Sequence, residues 1–101
     1  MLLPRPTGEF DASYKYLERL GWDMQLLDEV IKMLINEEDL PDEYNEHMLE
    51  GNLAGAVDCH LSEDPDWVLV YKVEDNALKL IATGSHNHVF RGHRAKRPRK
   101  R

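Results

Sequence analysis

A single cysteine, Cys59, stands among 101 residues, so no disulfide within the chain can brace the fold. That usage fits a reducing compartment, and the cytoplasm is the expected location. A lone thiol in an apolar strand is expected to be buried and inert rather than nucleophilic. Long hydrophobic runs are missing too: no stretch approaches the roughly 20 apolar residues that span a bilayer. The opening Met1-Leu2-Leu3-Pro4-Arg5-Pro6 is broken by prolines too early to read as a signal peptide. Neither an HExxH pattern nor a paired-cysteine spacing is present, which removes the strongest zinc signatures.

Positive charge is scarce where a core would be. Residues 1–90 hold all 19 acidic side chains against 6 Lys and Arg, a balance of -13. Residues 91–101, RGHRAKRPRKR, hold 7 Lys and Arg and no acid, a balance of +7. The body is acidic and the end is basic. Like-charge blocks stay solvated, so residues 92–101 are expected to form a flexible tail behind one domain spanning 1–91. With 42% hydrophobic residues, that domain has enough apolar material for one modest core.

What is there falls into two halves. Met1 to Leu3 reads as a short edge strand, which Pro4 and Pro6 should stop. Thr7 is placed to cap a helix in which Phe10, Tyr14, Leu17 and Leu20 recur at helical spacing, ending at Gly21. Asp23 then caps a second helix, with Leu27, Val30, Ile31, Leu34 and Ile35 as its apolar stripe and Asn36 and Leu40-Pro41 as its end. So short a connection makes the two an antiparallel hairpin. Residues 41–55 read as irregular or as one helical turn.

Beyond them, Ala56 to Leu61, Trp67 to Val73 and Leu78 to Ala82 are runs of β-forming residues. The turns Asp64-Pro65 and Glu74-Asp75-Asn76 separate them, as in an antiparallel meander. Helices first and strands afterwards give an α+β domain, the helical hairpin packed on one face of a small antiparallel sheet.

The histidines carry the chemical interest. His47 lies in the irregular linker, His60 ends the first strand of the meander, and His86 and His88 follow the third. Adjacent strands are neighbours, so His60 and His86 can meet across 26 residues, with Asp66-Trp67 opening the strand between them. Three uses fit: a metal site from His86-x-His88 with His60 and Asp66, acid–base catalysis, and ordinary hydrogen-bonded histidines. RNA cleavage by internal transesterification is one reaction that two imidazoles could serve.

The order of these residues is more telling than their number. His47-Met48-Leu49-x-Gly51-Asn52-x-x-Gly55 is followed by Asp58-Cys59-His60, then by Pro65-Asp66-Trp67-x-Leu69-x-Tyr71-Lys72, then by Thr83-Gly84-Ser85-His86-x-x-x-Phe90. As a linked set, spanning about residues 1–91, this resembles the YafQ branch of the RelE/ParE toxin superfamily. The resemblance implies a RelE-like fold and a type II toxin neutralised by a cognate antitoxin. It also implies that the toxin enters the ribosomal A site and cuts mRNA there, without metal or cofactor. It casts His47, His60, Asp66, His86 and Phe90 as the site. His86 would be the main proton-transfer residue with His60 or His47 as its complement, Asp66 would orient an imidazole or act as a base, and Phe90 would hold or stack a nucleobase.

The chain departs from that pattern in three ways. Val57 and Ala82 stand where relatives carry arginines, the loop Leu61–Pro65 is about two residues longer, and the first helix is acidic. The lost arginines remove fixed cations that clamp phosphate, and an acidic body repels ribosomal RNA. Protonated histidines and the basic tail are the expected compensation. The alternative function is a catalytically weakened RelE-fold protein that binds an antitoxin and regulates.

Overall fold

The computed structural model describes residues 1–91; the tail expected over 92–101 lies outside the described residues. In chain order the elements are β1 (Leu3–Pro6), α1 (Gly8–Arg19), α2 (Met24–Ile35), β2 (His47–Met48), β3 (Val57–Glu63), β4 (Asp66–Glu74), β5 (Ala77–Gly84) and α3 (His86–Arg91). Single 3₁₀ turns at Asp42–Tyr44 and Gly51–Leu53 flank β2. The strands form one sheet in the order β1-β5-β4-β3-β2. The α+β reading therefore holds, with β3, β4 and β5 as the antiparallel meander.

Both helices begin and end where their sequences direct. The Thr7 hydroxyl accepts from the Phe10 N–H at 3.0 Å and donates to the Ile81 carbonyl at 2.8 Å, tying the start of α1 to β5. Gly21, at φ 84°, closes α1 in a Schellman motif, with Trp22 N–H on the Leu17 carbonyl and Gly21 N–H on Glu18. Asp23 does precede α2, but its side chain makes no capping bond. Asn36 caps the end of α2 as expected, and the left-handed turn that follows falls at Glu37.

Alternation along the strands divides the core between two faces. On one, Phe10 and Leu17 of α1 and Leu27, Val30 and Leu34 of α2 pack against Cys59, Leu61, Trp67, Leu69, Tyr71, Leu78 and Leu80. Cys59 is fully buried, and burial pushes its thiol pKa up, so the inert reading stands. On the other face Val68, Val70 and Ala82 meet Leu49, Ala56 and Val89. Val89 belongs to α3, a six-residue helix too short for periodicity to reveal and absent from the sequence expectation.

The edge strand differs from expectation. It does not stop at Pro4 but runs through both prolines as Leu3–Pro6, parallel to β5. The N–H groups of Leu3 and Thr7 donate to the carbonyls of Asn76 and Leu80, so residues 3, 5 and 7 face β5. Pro4 and Pro6 fall on the outward positions, where a missing donor breaks no ladder bond. The linker at 41–55 likewise holds a two-residue strand, β2, paired with β3 through His47↔Asp58 and Met48↔Val57.

Candidate active site

Strand register brings the histidines together. His60 of β3 pairs with Val68 of β4, and Val68 pairs with Gly84 of β5, forming one row on the face that α3 covers. Asp66 lies two residues before Val68 on that face, and His86 two residues after Gly84. A β-bulge at Leu61 places an extra residue in β3 next to His60, a common device for re-aiming side chains beside functional sites.

A turn at Gly84 folds α3 back toward the sheet. Its φ of 139° suits glycine alone, and a Cβ there would come within 3.1 Å of the His88 ring. Ser85 then caps the helix, its hydroxyl accepting from the His88 N–H at 3.2 Å, and Val89 anchors it in the second apolar cluster.

Asp66 is the centre of the arrangement. Its Oδ2 accepts from the His86 backbone N–H at 2.8 Å, and its Oδ1 from His86 Nδ1 at 2.6 Å. His60 Nε2 is 3.5 Å from the same Oδ1. Burial works to raise the Asp66 pKa, but the bonds from the His86 backbone and ring, with help from His60, outweigh it and hold the carboxyl below its usual range. Asp66 is therefore ionised at neutral pH. A carboxylate only accepts, so His86 Nδ1 carries the proton and Nε2 is the nitrogen presented for proton exchange.

The two imidazoles stand edge to face with centroids 4.6 Å apart, and the Phe90 ring lies 6.1 Å from His86. His86, Asn87, Phe90 and Arg91 line an open cavity of about 480 Å³ on one side. A second cavity, of about 230 Å³, adjoins His60 and includes Tyr44, Asn45 and Ser62.

Four of the five expected residues, His60, Asp66, His86 and Phe90, thus form one continuous cluster. His47 stands one strand over, with Nδ1 3.7 Å from Oδ1 of Asp58, a fully buried carboxylate. Asp58 carried no role in the sequence reading, although its spacing from His60 (i, i+2) already put both on one face. The Tyr71 hydroxyl donates to Glu46 and fixes the chain just before His47.

The metal pattern expected around His86-x-His88 takes a different form. His88 turns away, its Nε2 lying 3.4 Å from the Ser13 hydroxyl. His60, Asp66 and His86 instead each offer one atom within 4.8 Å of the others, a donor set suited to a borderline divalent ion.

A five-stranded sheet with two helices on one face and a His–Asp–His cluster on the other defines a RelE-like toxin. Residues 3–91 match the family model of the bacterial toxin of type II toxin–antitoxin systems, YafQ. The chain belongs to that family. It is 34% identical over 85 residues to the mRNA interferase toxin YafQ of Escherichia coli K12, covering 83% of this chain and 90% of that one. A metal-bound toxin from Helicobacter pylori superposes with a TM-score of 0.81 at 37% identity, over 89% of this chain and all of the other. YafQ in the E. coli DinJ–YafQ complex superposes with a TM-score of 0.80 at 32% identity, over 89% and 99%. Among the described residues no helix is long and apolar enough to cross a membrane.

Proposed function

We propose that this chain is an mRNA endoribonuclease acting on ribosome-bound message in the cytoplasm and neutralised by a cognate antitoxin. Residues 1–91 are the toxin domain, and 92–101 are a basic tail that draws it toward ribosomal RNA. The observation that carries this reading is Asp66 bridging His86 and His60. The family supplies the substrate class.

In the reaction, a neutral imidazole accepts the 2′-hydroxyl proton as that oxygen attacks the adjacent phosphorus. The P–O5′ bond breaks, and a protonated imidazole donates to the departing oxygen, leaving a 2′,3′-cyclic phosphate and a 5′-hydroxyl. His86, oriented by Asp66, is the principal proton-transfer residue, and His60 or His47 is its complement. An ionised carboxylate between two imidazoles favours keeping one of them protonated. Phe90 holds the nucleobase by stacking. Every step uses the chain's own side chains. An ion held by His60, Asp66 and His86 would bring Lewis acidity toward a phosphoryl oxygen, at the cost of engaging the same imidazoles.

Primer extension on mRNA in programmed ribosomes, comparing the protein with His86→Ala, tests the reading. The substitution should lower cleavage by about 10²–10⁴-fold. Intact cleavage by His86→Ala would overturn the role of His86. Cutting without ribosomes would point to a free ribonuclease. No cutting by either protein would favour a weakened, antitoxin-binding regulator, the reading that the acidic body and the residues Val57 and Ala82 support.

A further inference from the structure

Phosphoryl transfer by internal attack builds negative charge on the two non-bridging oxygens, and a fixed cation beside them is worth several kcal/mol in a site of this kind. The strand positions at which the family resemblance expects arginine do not supply one. Ala82 is buried in the apolar cluster beneath α3, and Val57 opens β3 and packs against the helix-side cluster.

The remaining Lys and Arg of the described residues are engaged or remote. Lys79 and Lys72 both reach Glu74, at 2.6 and 3.9 Å. Lys15, Arg19 and Lys32 lie on α1 and α2, which pack against the other apolar cluster, Arg5 is on β1 at the far side of β5, and none of them lines the cavity at His86.

Arg91 is placed differently. It is the last residue of α3 and exposed, and it lines the same cavity as His86, Asn87 and Phe90. Positions 86, 87, 90 and 91 share one side of a helix by their i, i+4 spacing. The inward position belongs to Val89, and His88 turns to Ser13. A nucleotide whose base lies on Phe90 and whose phosphate meets His86 therefore has a guanidinium at the same helical face.

We propose that Arg91 is a catalytic residue of this chain, a phosphate-binding cation carried on α3 in place of the strand arginines it lacks. The inference rests on the ribonuclease reading above. The planar guanidinium can grip two phosphate oxygens at once, which an ammonium cannot. This separates Arg91 from the basic run behind it: Arg91 acts at the scissile phosphate, while residues 94–101 act at long range.

The test is single-turnover cleavage of mRNA in programmed ribosomes, with the toxin saturating, by the full chain and its Arg91→Ala, Arg91→Lys and Arg5→Ala forms. Arg91→Ala should slow cleavage by roughly 10²–10³-fold. Arg91→Lys should recover part of that loss, and Arg5→Ala, on β1 away from the cavity, should match the parent rate. Melting temperatures should be unchanged, because Arg91 is exposed. An Arg91→Ala rate within twofold of the parent, or a loss confined to ribosome affinity, overturns the proposal while leaving the ribonuclease reading in place. Absence of cleavage by the parent chain removes both.

Discussion

His86 donates twice to one carboxylate, through its backbone N–H to Oδ2 of Asp66 and through Nδ1 to Oδ1. The first bond fixes where α3 begins and the second fixes which ring nitrogen faces substrate. One residue at the start of β4 thereby sets both the position and the tautomer of the principal imidazole.

Asp66→Asn keeps the shape but lets the side chain present an N–H to the ring, so cleavage should fall by about 10²–10⁴-fold. The same substitution has a signature in stability. The Asp66 pKa is depressed in the folded protein, so its contribution is complete above the ordinary carboxylate value of 3.8 and fades as pH falls through the lower native value. Thermal melts from pH 6 to pH 3 should show a steeper acid loss for the parent than for Asp66→Asn. Equal slopes would mean that the carboxylate gains nothing from folding.

Gly84→Ala places a methyl 3.1 Å from the His88 ring on a backbone at φ 139°. The strain should cost about 1–3 kcal/mol by denaturant titration. Because α3 carries His86 and Phe90, cleavage should fall more than the loss of folded protein explains. A variant as stable and active as the parent would show that α3 does not need this turn.

Zn²⁺ or Cu²⁺ at His60, Asp66 and His86 would engage the imidazoles that move protons and displace the proton-bearing arrangement. Micromolar additions should therefore inhibit cleavage, and a chelator that spares Mg²⁺ should restore it. Activation by added metal, or loss of activity with the chelator alone, would assign the ion a catalytic part.

Deleting residues 93–101 should flatten the dependence of ribosome binding on salt. The slope of log K against log salt should shrink by about 0.7–0.9 for each phosphate that the tail neutralises. An unchanged slope would place the attraction elsewhere.

The amphipathic helices were legible because Leu17, Leu27, Val30 and Leu34 repeat at a helix's period over several turns. The meeting of His60, Asp66 and His86 was legible because linked motifs fixed strand order. Three features were hidden for physical reasons. α3 offers one buried residue, Val89, and a single point has no period. β1 was cut short because prolines oppose pairing in general, whereas which way each N–H faces is known only from the register with β5. His88 looked equivalent to His86 until the turn at Gly84 sent the two rings to different neighbours.

The prolines of β1 also bear on how other chains can approach. At that margin an incoming strand meets carbonyls but no N–H from Pro4 or Pro6, so pairing there is starved of donors. The opposite margin is β2, only two residues long and containing His47. A partner strand that extends the sheet at that margin would lie beside His47, one strand away from the His60–Asp66–His86 cluster.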